Sequence, residues 1–111
     1  MPYDFNKLTT DVKAALMAAS QRAANVEDGG TCNLDGVFLQ VPRQREAKMV
    51  EALQAAGINH VKKSSWGWMG TGYMLSPNVA GQANKRYAAC AAMTASLIAA
   101  GHDASHFMQM D

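Results

Sequence analysis

The sequence has few cysteines, no long apolar run and no excess of charge, and each shortage excludes a class of protein. Only 2 of the 111 residues are cysteine. Because the sequence has no CxxC pair and no secretory signal, we expect them to be free thiols and not a disulfide. No apolar run approaches the roughly 20 residues that a helix needs to cross a bilayer. We therefore expect a cytoplasmic protein with no membrane-spanning segment.

The charges are nearly balanced, with 10 Lys and Arg residues against 9 Asp and Glu residues and a net charge of +1. Such a balance provides no broad electrostatic field for DNA, RNA or an acidic membrane, so any contact with them has to be local. Apolar residues, by contrast, make up 49% of the chain, enough to offset the entropy lost on ordering it. The length fits one domain, and we expect residues 1–111 to fold as one.

Apolar residues spaced three and four apart predict three helices, at residues 4–24, 43–57 and 81–101. Gly57 and Gly101 end the second and third helices, because glycine readily takes the left-handed conformation found at such ends. The third helix is rich in alanine, which favours a helix and lets its backbone approach a sheet. Six of its residues share one side and are predicted to be buried: Tyr87, Cys90, Ala91, Thr94, Leu97 and Ile98.

Four strands are predicted at residues 31–41, 58–63, 66–75 and 104–110, with a turn at Ser64 and Ser65. After the first helix the order is therefore β-α-β-β-α-β, the split βαβ order of ferredoxin-like folds. We expect an α+β two-layer sandwich in which residues 29–111 form a four-stranded antiparallel sheet with two helices on one face. The N-terminal helix, within residues 1–28, has an apolar stripe available to cover the other face: Phe5, Leu8, Val12 and Leu16.

The stretch SSWGWMGTGY at residues 64–73 is the richest in candidate contacts. Trp66 and Trp68 point the same way from a strand, and the glycines beside them leave little side-chain bulk. Exposed aromatic side chains on a sheet bind partners or stack on nucleobases, whereas covered ones belong to an ordinary core. The predicted ligand or partner surface, which would also serve a homodimer, comprises Trp66, Trp68, Phe38, Phe107 and Tyr73.

A single-stranded nucleic acid or a nucleotide is the alternative ligand for this surface. Lys62, Lys63, Lys85 and Arg86 would then contact phosphates while the aromatic rings stack on bases. The RNP1 pattern of RNA-recognition domains is matched only in its alternation of aromatic residues and glycine. Nucleic acid is therefore the second hypothesis, behind a protein partner.

Cysteine, histidine and carboxylate side chains could form a metal site or activate a cysteine nucleophile, which would make the protein a small enzyme. The candidates are Cys32, Asp35, His60, His102 and His106. Their spacing supports neither kind of site, since His102 and His106 are placed about 13 Å apart on one face of a strand. We expect no cofactor, and we rank an enzyme last.

Three short motifs carry a family resemblance: GGTCNLD at residues 29–35, GQAN at residues 81–84 and MQMD at residues 108–111. The chain resembles a family of small uncharacterised proteins carried by phages and other mobile elements of bacteria. The resemblance implies no catalytic residues; it implies a binder directed at host machinery, such as an inhibitor of a defence system. Our first hypothesis is therefore a non-enzymatic binding module that acts through protein–protein contacts, with the Trp66–Trp68 hairpin and the adjoining sheet face as its surface.

Overall fold

The computed structural model describes residues 3–27, 29, 35–41, 44–59, 61–65, 70–79 and 83–107. Its elements are α1 (Phe5–Ala24), β1 (Gly36–Gln40), α2 (Glu46–Ala55), β2 (Val61–Ser65), β3 (Thr71–Leu75), α3 (Ala83–Ala99) and β4 (Asp103–Phe107). The prediction of a mixed α+β chain that begins with a helix is confirmed. The predicted turn at Ser64 and Ser65 is wrong, because both residues belong to β2 and pair with β3.

The four strands form one sheet in the order β2-β3-β1-β4, and each neighbouring pair is antiparallel. This confirms the predicted four-stranded antiparallel sheet. In its register, Leu39 lies opposite Tyr73 on β3 and Ala104 on β4. Since successive side chains of a strand alternate between the two faces, Phe38 points to the other side of the sheet. β2 and β4 are the outermost of the described strands.

The hydrophobic core lies between the helices and the face of the sheet that carries Leu39. It joins side chains from that face to side chains from all three helices. The large side chains that are fully buried in it include Leu8, Val12, Val37, Leu39, Met49, Leu53, Leu75, Met93 and Leu97. Alternation along the strands and three-four spacing along the helices bring these residues to one layer.

Helix α1 packs in the helix layer, which answers the open question of whether it covers the other face of the sheet. It contacts α3 along much of its length and also contacts α2. Leu8 and Val12, which were available to cover the far face, belong to the same core as Leu39. The buried side of α1 also contains Ala15 and Ala19, whose small side chains let another helix approach closely. The apolar stripe of α1 is thus covered by the other two helices.

The helices begin and end where local chemistry favours it. Asp4 caps α1, since its side chain accepts a hydrogen bond of 2.9 Å from the backbone N–H of Lys7. Gly57 and Gly101 have φ angles of 90° and 97°, and they follow α2 and α3 as predicted. Gly101 directs the chain from α3 straight into β4, so these two elements pack on each other.

Candidate functional site

The predicted site residues are scattered over the chain. Trp66, Trp68, Cys32 and His60 lie outside the described residues, so their roles stay predictions. The others divide into aromatic side chains of the sheet, basic side chains, and two histidines that pair with carboxylates.

The aromatic side chains of the sheet do not form one exposed surface. Tyr73 is 3% exposed and faces the helices, within the core. Phe38 is on the other face but is only 1% exposed. Its ring lies so close to Gly72 that a Cβ added there would come within 2.7 Å of Phe38 Cζ. Phe107 is half-buried. Neither Tyr73 nor Phe38 therefore presents a ring on which a base or a partner could stack.

Two of the basic residues predicted to contact phosphates are engaged within the protein at the start of α3. Lys85 Nζ donates a hydrogen bond to Ala23 O at 2.8 Å, and Arg86 Nε donates one to Asp35 O at 2.8 Å. Arg86 Nη2 also donates to Ser76 Oγ at 3.0 Å. These contacts join α3 to the end of α1, to the residue before β1 and to the residue after β3.

The other two, Lys62 and Lys63, are exposed neighbours on β2 and point to opposite faces of the sheet. Lys63 Nζ lies 3.4 Å from Glu46 Oε1 of α2 in an exposed ion pair. The four predicted phosphate contacts are therefore divided between both faces of the sheet and the start of α3, and they do not form one basic patch.

The two described histidines form two separate pairs, each with a carboxylate. His102 Nε2 lies 2.7 Å from Asp11 Oδ2, and His106 Nε2 lies 3.1 Å from Asp35 Oδ2. Each imidazole thus has one carboxylate partner, and no group of three or more metal-binding side chains occurs among the described residues. Asp35 and His106 were both candidate metal ligands, although no metal was expected, and the fold brings them together as a pair.

Asp35 is fully buried just before β1, whereas the His106 side chain on β4 is 16% exposed. A carboxylate only accepts hydrogen bonds, so His106 Nε2 is the donor in this pair. Asp35 Oδ1 has no hydrogen-bond partner in the described structure. The pair links the start of β1 to the end of β4 and orients the imidazole, but it lies under the protein surface.

Cys90 lies one turn beyond Arg86 on α3 and is fully buried. Burial raises the pKa of its thiol to about 12, against a smaller lowering effect of the Arg86 charge. A thiol with such a pKa stays protonated at neutral pH and is a poor nucleophile. Cys90 is therefore not a nucleophile that Asp35 and His106 could assist in catalysis.

Helix α3 turns a different side to the core from the one predicted. Of the residues predicted to be buried, Cys90, Thr94 and Leu97 are buried. The prediction is wrong for Tyr87 and Ile98, which are 48% and 55% exposed. The inward side is rotated by roughly 70° toward Ala89 and Met93, taking 3.6 residues per turn.

The outward side of α3 is apolar, and we name it the α3 stripe: Tyr87, Ala91, Ala95 and Ile98. Its members are three or four residues apart and so share one side of the helix. The sequence contains no charged residue from position 87 to position 101. From position 87 onward the helix has no charge on any side, a pattern that is visible in the sequence and is typical of a buried helix. The α3 stripe is nonetheless on the surface.

Strand β4 lies beside the α3 stripe. The Tyr87 and His106 ring centroids are 4.9 Å apart, and α3 packs on β4. We name the outer side of β4 (Asp103–Phe107) the β4 edge; β1 is its one partner among the described strands. Asp103, at its first position, is its only Asp, Glu, Lys or Arg. The α3 stripe and the β4 edge form one continuous surface with little charge.

Comparison of the chain with protein-family models, with curated proteins and with solved structures gives no match. In the described part of the chain no helix is long and apolar enough to cross a membrane. The α3 stripe and the β4 edge are the candidate functional site on the strength of their own geometry.

Proposed function

We propose that the protein is a small non-enzymatic binding module that acts through protein–protein contacts at the α3 stripe and the β4 edge. The observation that carries this proposal is the exposure of Tyr87 and Ile98 on an uncharged helix face beside an outermost strand. The site is formed largely by backbone groups and uncharged side chains, which suit a protein partner.

The β4 edge supplies the directional part of the contact. The outermost strand of a sheet presents backbone N–H and C=O groups that can pair with an extended segment of another protein. β4 carries no proline and has one charged residue, so little opposes the addition of a strand. The expected partner is therefore an extended protein segment that runs along β4.

The α3 stripe supplies the apolar part of the contact. Every second side chain of an added strand would point to the helix side of the sheet, where Tyr87 and Ile98 are exposed. Apolar side chains at those positions of the partner would remove these two from water, at roughly 25 cal/mol per Å² of apolar surface. Specificity would come from the apolar alternation of the partner segment.

The architecture supports a finer assignment, which is part of the proposal. The order β-α-β-β-α-β after α1 and the strand order β2-β3-β1-β4 fit a ferredoxin-like fold. The position of α1, in contact with both other helices, is an addition to that fold. The resemblance to proteins of phages and mobile elements makes host machinery one source of the partner segment, and a further copy of the chain is the other.

Two alternatives have less support. Nucleic-acid binding would need a basic patch with exposed rings, but Lys85 and Arg86 are engaged within the protein and Phe38 is buried. An enzyme would need a reacting group beside His106, whose described carboxylate partner, Asp35, is fully buried.

Selection from a displayed library of short extended peptides tests the proposal. We expect selected peptides to alternate apolar and polar residues and to shift the amide NMR signals of β4 and the outer side of α3. Ile98→Glu should abolish binding, because it places a charge in the α3 stripe. Met17→Glu is the matched control, since Met17 is 64% exposed on α1, a different helix. Peptides whose signals map elsewhere, or a library that yields no binder for a protein that is monomeric, would refute the proposal.

A further inference from the structure

We infer that the partner for which this surface is built is a second copy of the chain, joined by antiparallel pairing of β4 with β4 across a two-fold axis. This inference rests on the proposed function and names the partner of the same site. A two-fold contact uses the same patch on both copies, so the patch has to be complementary to itself.

The β4 edge meets this requirement. In an antiparallel pair, directly opposed residues share a face of the sheet, and pairing centred on Ser105 keeps both faces of the two sheets continuous. Asp103 then lies opposite Phe107 of the second copy, and Ala104 lies opposite its His106. No two like charges face each other in this register. The result is one eight-stranded sheet with the helices of both copies on one side.

The α3 stripe meets the same requirement. The two-fold axis makes the two α3 helices antiparallel, so Tyr87 of one copy approaches Ile98 of the other. Between them lie Ala91 and Ala95, whose small side chains allow close approach of the two helices. The stripe carries no charge, and its pairing with itself therefore brings no like-charge repulsion.

The outer side of β2 (Val61–Ser65), which we name the β2 edge, does not meet this requirement. β2 has exposed lysines at two successive positions, Lys62 and Lys63. Antiparallel pairing of β2 with itself would bring these like charges close together across the axis, which is unfavourable. Exposed lysines on an outermost strand are a common protection against pairing. Self-association is therefore expected at β4 and not at β2.

The β4 edge and the α3 stripe have similar lengths. Five residues of strand extend about 17 Å, and twelve residues of helix from Tyr87 to Ile98 extend about 18 Å. A patch of this length across a helix and a strand would bury on the order of 1,000 Å² in total, the lower limit for specific interfaces. We therefore expect a dimer that forms in the micromolar range and dissociates on dilution.

Sedimentation velocity of the whole chain, from roughly 1 μM to roughly 1 mM, tests the inference in the range expected for an interface of this size. The apparent mass should double with concentration. Ile98→Glu and Ser105→Lys should each keep the protein monomeric over the same range. Met17→Glu and Ser64→Lys are the matched controls, on the exposed side of α1 and on the β2 edge, and they should dimerise like the wild type. Circular dichroism checks that each variant is folded.

The outcomes separate this inference from the proposal beneath it. A wild type that stays monomeric overturns the dimer, while selected peptides that bind at β4 would still support a binding module. A dimer that persists in folded Ile98→Glu and Ser105→Lys overturns this interface. A folded monomer for which no selected peptide binds at β4 overturns both.

Discussion

The two outermost described strands, β2 and β4, end the sheet in opposite ways. β2 presents exposed Lys62 and Lys63 to water, and its helix neighbour α2 contributes the charged Glu46. β4 has one charged residue, Asp103, and lies beside the uncharged outer side of α3. One edge is therefore protected against pairing by charge, whereas the other is left able to pair.

The side-chain contacts of the two edges differ as well. Lys63 and Glu46 form an exposed pair, with side chains 49% and 56% exposed. β4 is connected to the interior by His106 and the fully buried Asp35, and the residue before it, His102, bonds to Asp11 of α1. A strand held at both ends is ordered before a partner arrives, which lowers the entropy cost of binding.

The largest effect on this comparison is expected from Asp35→Ala. The substitution leaves His106 Nε2 without its acceptor, and we expect a loss of about 2 kcal/mol in the free energy of unfolding. Urea denaturation measures this loss. The substitution should also accelerate amide hydrogen exchange more in β4 than in β2. Asp35→Asn is the control, since it keeps an acceptor oxygen and should cost less. A cost below about 0.5 kcal/mol for the alanine variant would show that the pair does not anchor β4.

A smaller effect is expected at the other end of β4, from Asp11→Asn. Desolvation tends to raise the pKa of Asp11, but hydrogen bonds from Lys7 and His102, with their charges, outweigh it and hold the pKa below the ordinary 3.8. A lowered pKa stabilises the folded state above the ordinary value, and this stabilisation is lost as the pH falls through the lowered pKa.

We therefore expect Asp11→Asn to lower the free energy of unfolding by about 1 kcal/mol at pH 7. In strong acid the free energies of unfolding of the variant and the wild type should be closer. Denaturation at a series of pH values measures the difference. A gap between variant and wild type that stays constant below pH 3.8 would contradict the assigned role of the carboxylate.

The smallest effect is expected on the β2 edge, from Lys63→Ala. An exposed ion pair contributes little, so the free energy of unfolding should change by less than about 0.5 kcal/mol. The same urea titration measures it, and added salt should reduce the difference further. A cost comparable to that of Asp35→Ala would remove the contrast between the two edges.

Much of the fold could be predicted from the sequence because it depends on local periodicity. The stripe of α1 and the glycines that follow α2 and α3 were identified from spacing alone. The partner of α1 could not be, because an apolar stripe fits a sheet face and a pair of helices equally well. The inward side of α3 was misplaced for a related reason: Tyr87 and Ile98 fit the same spacing of three and four residues as Leu97, and periodicity does not separate a core from a binding surface.

The Asp35–His106 pair shows the same limit at the level of the site. Both residues were candidates together with His102 and Cys32, but their spacing in the sequence supported no metal site and gave no sign of this pair. The two are 71 positions apart in the chain, and only the pairing of β1 with β4 brings them together. The spacing of the two histidines was uninformative, because each had its own carboxylate partner on a different element.

The position of α1 has a consequence for how the protein comes to be folded in the cell. α1 leaves the ribosome before α3, yet its most extensive contacts are with α3, more than fifty residues later. Contacts so distant in sequence form slowly, because a long loop has to close first. The nascent chain therefore carries an unsatisfied amphipathic helix until α3 has been synthesised, and the helix layer cannot complete its folding before then.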